Sequence, residues 1–265
     1  MPVAGQRVTV SVADGIARVR LNRPDKRNAL DLAMFEGIAA AQQRLKRDRS
    51  VQAVIVDAAG EDFSSGLDVK AVLGDRRAAR KLLWKWWPWQ ANLAQRVSVG
   101  WRHLKVPVIA GIRGRCWGGG LQIALGADFR FAHPESSLSV MEARWGIIPD
   151  MGGTLALREL LPADQAMRLA MTAETFDGAT ALELGLVTGV DSDPEAAALN
   201  LAQRLLERSP DTNAAIKRLY RKSWNLRAGS VLARESAYQF RILARPNQRI
   251  AVKRQRGENI PWRRD

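Results

Sequence analysis

The sequence is poor in the residues that form disulfides and bind soft metals. Among its 265 residues are one cysteine, Cys116, and two histidines, His103 and His133. A single cysteine excludes a disulfide within the chain and fits a reducing compartment, so we predict a cytoplasmic protein. So few thiol and imidazole ligands provide no metal-binding cluster, and we therefore expect no metal site.

Long apolar runs are also lacking. No stretch approaches the roughly 18 apolar residues that cross a bilayer, so we expect no membrane span. Residues 1–12 contain no basic segment followed by an apolar one, and we predict no signal peptide. The hydrophobic fraction of 46% is that of a globular protein with a sizeable core.

Acidic residues are outnumbered by basic ones. The 41 lysines and arginines exceed the 27 aspartates and glutamates, which gives a net charge of +14. Three explanations stay open: a nucleic-acid partner, a small ligand with several phosphates, or solubility alone. The cations are spread along the chain, and the densest stretch, 253–264, is typical of a solvated tail.

Apolar periodicity predicts strands that alternate with helices, followed by a purely helical segment. Residues 9–12 and 16–21 alternate on either side of a turn, which indicates a hairpin, and Asp31 caps a helix that runs to residue 47. Further predicted strands are 51–57, 106–112, 129–132, 137–140 and 186–190, and further predicted helices are 68–81, 96–104, 121–125, 154–160, 163–171 and 179–184. We predict an α/β core over residues 1–193 and a C-terminal helical region over residues 194–265.

Two segments of small residues lie between a buried strand and a helix. The first is Phe63-Ser-Ser-Gly-Leu-Asp-Val-Lys70, and the second is Gly118-Gly-Gly120. Small residues let the backbone approach a ligand, and the N-terminus of the following helix offers free N–H groups. Two such loops that face each other could hold one carbonyl oxygen as an oxyanion hole. Two ordinary strand-to-helix turns are the alternative.

Several motifs occur in a fixed order along residues 8–190. They are Asn22-Arg-Pro24, Asn28-Ala-Leu30, the 63–70 segment, Lys105-Val-Pro-Val-Ile-Ala-Gly-Ile112, Gly118-Gly-Gly120, Asp128, Pro149, Gly152-Gly-Thr154, Ala179, Ala181 and Leu184-Gly-Leu-Val187. In this order they resemble the enoyl-CoA hydratase/isomerase (crotonase) family. The resemblance implies an α/β fold with a spiral core of repeated ββα units and a C-terminal helical region, assembled as a homotrimer or hexamer. It also implies an acyl-CoA thioester substrate and no cofactor besides the coenzyme A of that substrate.

The resemblance further implies which residues bind the thioester. The backbone N–H groups of Leu67 and Gly119 would form the oxyanion hole. The residues that would contact coenzyme A are Lys26, Arg27, Ala29, Ser65, Asp68, Val69 and Lys70. The three cations of this set could pair with phosphates, and a solvated surface charge is the alternative for each.

The acid–base positions differ from those of the family's hydratases. Those enzymes use two glutamates, and the corresponding residues here are Gln122 and Glu142. An amide can hold a water but cannot exchange a proton at useful pH. Asp150 resembles the second carboxylate of the family's dienoyl-CoA isomerases, and the alternative is that it caps the helix beginning near Gly152.

A double-bond shift needs no activated water, so it tolerates an amide at position 122. We therefore predict isomerisation with Glu142 as the base, Asp150 as a second proton carrier and Gln122 as an orienting group. The rival functions are enoyl-CoA hydration, CoA binding without catalysis, and RNA binding by a basic member of the family.

The segment 84–89, Trp-Lys-Trp-Trp-Pro-Trp, holds four of the nine tryptophans. In the family a variable stretch at this place lines the acyl pocket. We therefore predict that Trp86, Trp87 and Trp117 line a pocket for a bulky or aromatic acyl group. The alternatives for the segment are packing in the core or in a subunit interface, and contact with a membrane surface.

Overall fold

The computed structural model describes residues 6–263, which form two β-sheets surrounded by helices. The strands are β1 Val8–Ala13, β2 Ile16–Leu21, β3 Ala53–Ala58, β4 Val108–Ile112, β5 Arg115–Trp117, β6 Phe129–Ala132, β7 Ser137–Ser139 and β8 Gly189–Val190. The α-helices are α1 Leu32–Arg47, α2 Val69–Leu73, α3 Arg76–Leu83, α4 Leu93–Arg102, α5 Gly119–Leu125, α6 Gly153–Leu160, α7 Ala163–Thr172, α8 Gly178–Glu183, α9 Pro194–Leu206, α10 Pro210–Ser223, α11 Ala228–Leu243 and α12 Pro246–Gln255. Two short 3-10 turns cover Pro24–Lys26 and Glu142–Trp145.

The larger sheet has the strand order β1-β2-β3-β4-β6-β8 and is parallel except for the β1–β2 hairpin. This hairpin is the one predicted, and Asp14 and Gly15 turn it with positive φ angles of 51° and 82°. The predicted start of α1 is also confirmed, because the Asp31 side chain accepts a hydrogen bond from the Met34 N–H at 2.8 Å.

The smaller sheet gives the core its spiral form. It pairs β5 with β7 in parallel, and the isolated bridges Leu30–Leu67 and Ser64–Cys116 continue the same pairing to earlier parts of the chain. In successive units one strand joins the larger sheet and the next segment joins the smaller one before a helix follows. This arrangement confirms the predicted α/β spiral core of repeated ββα units.

Two element predictions were wrong in extent, and one strand was not predicted at all. The helix predicted over 68–81 is broken into α2 and α3, because Asp75 leaves the helix and accepts a hydrogen bond from the Arg77 N–H as the N-cap of α3. The strand predicted over 186–190 pairs only at its last two residues. Strand β5 was not predicted, since three residues are too short to show an alternating pattern.

The C-terminal region consists of helices α9 to α12, as predicted. Helix α9 packs across the larger sheet, where Ala198 and Ala202 are fully buried with Ile55 and Ile109. The division of the chain at residue 193 therefore stays a prediction, since α9 shares the packing of the core. Within residues 6–263, no helix has the length and apolar character needed to cross a membrane.

Candidate active site

The two glycine-containing loops lie side by side. The Ser64 N–H donates to the Arg115 carbonyl at 2.9 Å, and the Trp117 N–H donates to the Ser64 carbonyl at 3.0 Å. Because these bonds continue the pairing of the smaller sheet, the residues after Ser64 and after Trp117 leave the sheet next to each other. The structure thus brings together the two segments that the sequence identified as candidate backbone donors.

Glycine is required where the loops touch. Gly66 has a φ of +89°, and a Cβ there would meet the Trp117 carbonyl oxygen at 2.9 Å. Gly118 has a φ of +50°, and a Cβ at Gly120 would meet the Ser64 side chain at 2.7 Å. Backbone–backbone contact this close leaves no room for side chains between the loops.

The two amides predicted to form the oxyanion hole belong to the residues directly after Gly66 and Gly118. Leu67 comes directly after Gly66, and Gly119 is the first residue of α5. Neither N–H donates a hydrogen bond to another residue within the described range 6–263. Both amides are thus free to bind a ligand oxygen, and their role as an oxyanion hole stays a prediction.

Gln122 and Glu142 contact each other directly. Gln122 lies on α5, and its side-chain Nε2 donates to Glu142 Oε1 at 2.6 Å. A Cβ at Gly118 would lie 3.4 Å from the same carboxylate oxygen. The carboxylate therefore lies against the second glycine loop, beside the amide of Gly119.

The amide oxygen of Gln122 is already occupied. It accepts hydrogen bonds from the Met151 N–H and the Gly153 N–H, both at 2.9 Å. Two backbone donors fix the orientation of the side-chain amide, so its nitrogen must face Glu142. Gln122 therefore joins α5, the turn before α6 and the Glu142 carboxylate.

Glu142 retains one free oxygen. The residue is 7% exposed, and its Oε2 atom is buried without a hydrogen-bond partner among residues 6–263. Burial raises the pKa of the carboxyl group above its ordinary value of 4.5, the hydrogen bond from Gln122 opposes this change, and the negative charge of Asp150 adds to it. A carboxylate with a raised pKa and a free oxygen has the properties of a general base.

Asp150 lies on the turn before α6. The residue is exposed, but the atoms around its carboxyl group displace enough water to raise the pKa, while the Lys85 ammonium lowers it. The alternative that Asp150 caps α6 was wrong, because Gly152 is the N-cap residue and no side chain caps this helix.

Comparison with known proteins agrees with this geometry. Residues 11–252 match the profile of the enoyl-CoA hydratase/isomerase family. The chain belongs to this family. It is 30% identical over 223 residues to the hydroxycinnamoyl-CoA hydratase-lyase of Pseudomonas fluorescens, which covers 81% of this chain and 78% of that protein.

Two further relatives extend the comparison. The carnitinyl-CoA dehydratase of Salmonella paratyphi A is 32% identical over 212 residues, 78% of this chain and 77% of that protein. The crystal structure of an enoyl-CoA hydratase from Mycobacterium tuberculosis H37Rv superposes with a TM-score of 0.86 at 25% identity, covering 98% of this chain and 100% of that one. These matches place the protein among the acyl-CoA enzymes with the crotonase fold.

The two segments predicted to bind coenzyme A are adjacent in this structure. The Ser65 N–H donates to the Arg27 carbonyl at 2.9 Å, and the Leu30 N–H donates to the Gly66 carbonyl at 2.8 Å. Asn28 holds this junction, since its side-chain nitrogen donates to the Ala59 and Asp62 carbonyls at 2.8 and 2.7 Å. This positioning role was not predicted, and the only sequence signal for it was the presence of Asn28 in a family motif.

The side chains predicted to contact coenzyme A differ in their solvent exposure and in their pairing with other side chains. Lys26, Arg27 and Lys70 are exposed, and Arg27 lies 3.9 Å from Asp62. Ala29, Ser65 and Val69 are partly exposed. Their contacts with coenzyme A stay predictions.

Asp68 already has protein partners. Its carboxylate binds Arg23 Nη1 at 2.8 Å and accepts a hydrogen bond from the Ala71 N–H at 3.1 Å, as the N-cap of α2. Burial alone would raise its pKa, but these two partners together hold the pKa below the ordinary value. Asp68 thus has a structural role in positioning the loop, whether or not it contacts a ligand.

The tryptophans predicted to line an acyl pocket lie in two environments. Trp86 is 82% exposed and Trp87 is 56% exposed. Trp117 is half-buried, donates a hydrogen bond from Nε1 to Ser137 Oγ at 3.0 Å and lies under the Arg115 guanidinium. The pocket role of the three rings stays a prediction, and burial of the 84–89 segment in the core of the chain is excluded.

A cavity of about 480 Å³ lies elsewhere, between the larger sheet and α10. Its walls include Phe129, Ile216 and Tyr220, and none of the predicted site residues borders it. We assign the active site from the chemistry at Glu142, since this cavity lacks the free backbone donors and the unpaired carboxylate. Residues 6–263 contain no group of three His, Cys, Asp or Glu residues that could hold a metal ion.

Proposed function

We propose that the protein shifts a double bond in an enoyl- or dienoyl-CoA through a thioester enolate, with Glu142 as the base. The free buried oxygen of Glu142, beside the two loops whose amides are unpaired, carries this proposal. Its raised pKa suits proton transfer near neutral pH.

The environment of Gln122 favours isomerisation over hydration. Hydration needs a second group that activates a water and returns a proton. The Gln122 oxygen accepts two backbone hydrogen bonds, and the amide has no proton to exchange at neutral pH. This side chain orients Glu142 and does not replace a second carboxylate.

The proposed reaction needs one proton removed and one returned. Glu142 Oε2 takes a proton from the carbon next to the thioester. The resulting negative charge is delocalised over the double bond and the thioester oxygen. The N–H groups of Leu67 and Gly119 stabilise the negative oxygen. The proton then returns to a carbon further along the acyl chain, from Glu142 or from Asp150, which leaves the composition of the substrate unchanged.

Coenzyme A binding follows from the exposed cations. We propose that Lys26, Arg27 and Lys70 pair with its phosphates, while Ala29, Ser65, Asp68 and Val69 border its path, because these residues flank the free Leu67 amide. Replacing Lys26 and Lys70 together with Gln should raise KM more than it lowers kcat, since phosphates far from the reacting carbons contribute binding.

The assembly is proposed to be a homotrimer or a hexamer. Helix α11 has no buried residue, and its apolar side chains Leu232, Phe240 and Leu243 are 61%, 73% and 50% exposed. Apolar exposure of this kind is typical of subunit interfaces. Analytical ultracentrifugation tests this part, and a monomer at micromolar concentration would contradict it.

The acyl group is proposed to be bulky or aromatic, with Trp86, Trp87 and Trp117 close to it. The relative named hydroxycinnamoyl-CoA hydratase-lyase acts, by its name, on an aromatic acyl group, and Lys85 brings the tryptophan segment near Asp150. Changing Trp86 and Trp87 to Ala should reduce the preference for aryl over short alkyl substrates. An unchanged preference would remove this part of the proposal.

A substrate panel tests the reaction itself. Purified protein is given 2-enoyl-, 3-enoyl- and dienoyl-CoA thioesters with short, long and aromatic acyl groups, and products are separated by chromatography. We expect double-bond migration to exceed hydration, and Glu142→Gln to abolish it. Hydration faster than migration would support the rival function suggested by the named hydratase-lyase and dehydratase relatives.

A further inference from the structure

The proposed acyl pocket uses only Trp86 and Trp87 of the segment from α3 to Trp89, and it leaves most cations and the other two tryptophans of this segment unexplained. Residues 76–89, Arg-Arg-Ala-Ala-Arg-Lys-Leu-Leu-Trp-Lys-Trp-Trp-Pro-Trp, contain five cations, four tryptophans and no acidic residue. We refer to residues 76–89 as the Trp/Arg surface. It combines the two least expected features of the sequence, its tryptophan cluster and its positive charge.

The tryptophan rings of this surface face solvent. Trp84, Trp86, Trp87 and Trp89 are 59%, 82%, 56% and 81% exposed. The rings contact one another in pairs. Trp84 and Trp86 are edge-on with ring centroids 6.2 Å apart, and Trp87 stacks on Trp89 with ring centroids 5.7 Å apart. Such large apolar exposure within six residues marks an interaction surface.

The cations lie beside the rings and are mostly free. Ala78 and Leu82, one turn apart, are the buried residues of α3 and fix this helix to the body of the protein. The charged side chains therefore project to solvent, and Arg77 and Arg80 line a surface depression together with Trp84.

Ion pairing leaves most of this positive charge unneutralised. Lys81 pairs with Glu36. Within residues 6–263, no carboxylate lies within 4 Å of a side-chain nitrogen of Arg76, Arg77 or Arg80. The surface therefore attracts a partner with negative charge.

We propose that the Trp/Arg surface binds an anionic phospholipid bilayer. Indole rings favour the boundary between lipid headgroups and acyl chains, and arginines beside them pair with lipid phosphates. Helix α3 buries Ala78 and Leu82 on one side and exposes Arg77 and Arg80 beside Trp84 on the other. A lipid surface accommodates this mixture of exposed rings and charge, whereas a purely acidic partner would leave four indoles in water.

Vesicle sedimentation tests this proposal with the full chain. Extruded vesicles of phosphatidylcholine alone, or of phosphatidylcholine with 30% phosphatidylglycerol added (about one lipid in three), are mixed with the protein. We expect binding to the anionic vesicles only, with a blue shift of tryptophan emission and quenching by brominated acyl chains. Raising the salt concentration should weaken the binding, because the Debye length shortens. No sedimentation with anionic vesicles would overturn the proposal.

Two variants of the surface separate its charge from its rings. Arg77→Gln/Arg80→Gln should weaken vesicle binding at least about tenfold, since each cation near an anionic membrane contributes measurably. Trp84→Ser/Trp89→Ser leaves Trp86 and Trp87 in place and should weaken vesicle binding and reduce quenching by brominated chains. Vesicle binding and quenching equal to those of the parent protein would show that these two rings do not enter the bilayer and would overturn the proposal.

Matched controls use exposed residues elsewhere in the chain. Lys253→Gln/Arg256→Gln removes two exposed cations near the C-terminus, and Trp224→Ser removes a 63% exposed tryptophan that directly follows α10. We expect both controls to bind vesicles as the parent protein does. If the lysine/arginine control loses as much binding as Arg77→Gln/Arg80→Gln, only net charge matters and the proposed surface is wrong. Thermal melts confirm that each variant is folded.

Discussion

Two polar clusters of this protein differ in whether their hydrogen bonds are complete. The first is the charge network formed by Arg102, Asp128, Glu159, Lys217 and Arg221 behind α10. The second is the site cluster formed by Gln122, Glu142 and Asp150.

In the charge network every carboxylate oxygen has a partner. Lys217 and Arg221 each bind Asp128 at 2.7 Å, and the Val108 N–H donates to the same carboxylate at 2.8 Å. Arg102 donates to both oxygens of Glu159 at 2.5 and 2.6 Å. The network therefore joins α4, α6, α10 and the start of β4, and each of its carboxylate oxygens has a protein partner.

In the site cluster the amide is fully used and the carboxylate is not. The side-chain oxygen of Gln122 accepts hydrogen bonds from two backbone N–H groups, while Glu142 Oε2 is buried without a partner. Leaving such an atom unpaired costs free energy that packing elsewhere must offset. The two clusters thus differ in one respect: the Glu142 carboxylate keeps an oxygen that a ligand could contact, whereas each carboxylate oxygen of the charge network already has a protein partner.

The largest expected effect is on activity, from Glu142→Gln. The amide keeps the size of the side chain but cannot take a proton, so kcat/KM for double-bond migration should fall on the order of 10³. The melting temperature should stay the same or rise, because burial already disfavours the charged form of Glu142. Steady-state kinetics and a thermal melt measure both. Loss of stability together with loss of activity would show that Glu142, like the charge network, has a structural role.

The next effect is on stability, from Lys217→Met. This lysine is buried, and its ammonium binds Asp128 together with the carbonyls of Trp101 and Val106. Removing one partner of a buried ion pair should cost about 3 kcal/mol in the free energy of unfolding. Chemical denaturation measures this change.

Lys222→Met is the matched control for this prediction, since Lys222 is an exposed lysine on the same helix. We expect it to change stability little, and kcat/KM should be retained in both folded variants. Equal stability of Lys217→Met and the control would show that the charge network contributes little to the fold.

Much of the fold follows from local patterns. The hairpin, the Asp31 cap and the uninterrupted apolar strands β3 and β4 were all predicted, because each depends on residues close in sequence. Strand β5 escaped prediction because it is defined by its partners β7 and Ser64, not by its own three residues. The break in the predicted helix before Asp75 was not predicted because the apolar spacing continues across it.

The sequence indicated candidate site residues but not the contacts between them. The order of motifs identified Gln122 and Glu142, yet the use of the amide oxygen depends on donors 29 and 31 residues away. The same is true of Asn28, which joins carbonyls 31 and 34 residues further along. A sequence pattern shows which residue types are available for chemistry, whereas the partner of each hydrogen bond depends on the folded structure.

A smaller effect is expected from Gln122→Glu. A glutamate can keep the hydrogen bonds from Met151 and Gly153 with one oxygen, and it faces Glu142 with the other. Two carboxylates this close share a proton, which restores the pair used by the family's hydratases. We expect hydration of a 2-enoyl-CoA to rise about tenfold. The exchange variant Gln122→Glu/Glu142→Gln is the control, and equal hydration by both would show that the pair of carboxylates is not what hydration requires.

The smallest expected effect is a shift in the pH profile. Glu142 acts as a base only when ionised, so kcat/KM should rise with pH, and its midpoint should lie above 4.5 because burial raises the pKa. The negative charge of Asp150 contributes to that increase, so Asp150→Asn should move the midpoint to lower pH. A loss of kcat at every pH in the same variant would support Asp150 as a second proton carrier. A midpoint that moves upward would contradict the electrostatic coupling between the two carboxyl groups, because removing a negative charge beside Glu142 must favour its ionised form.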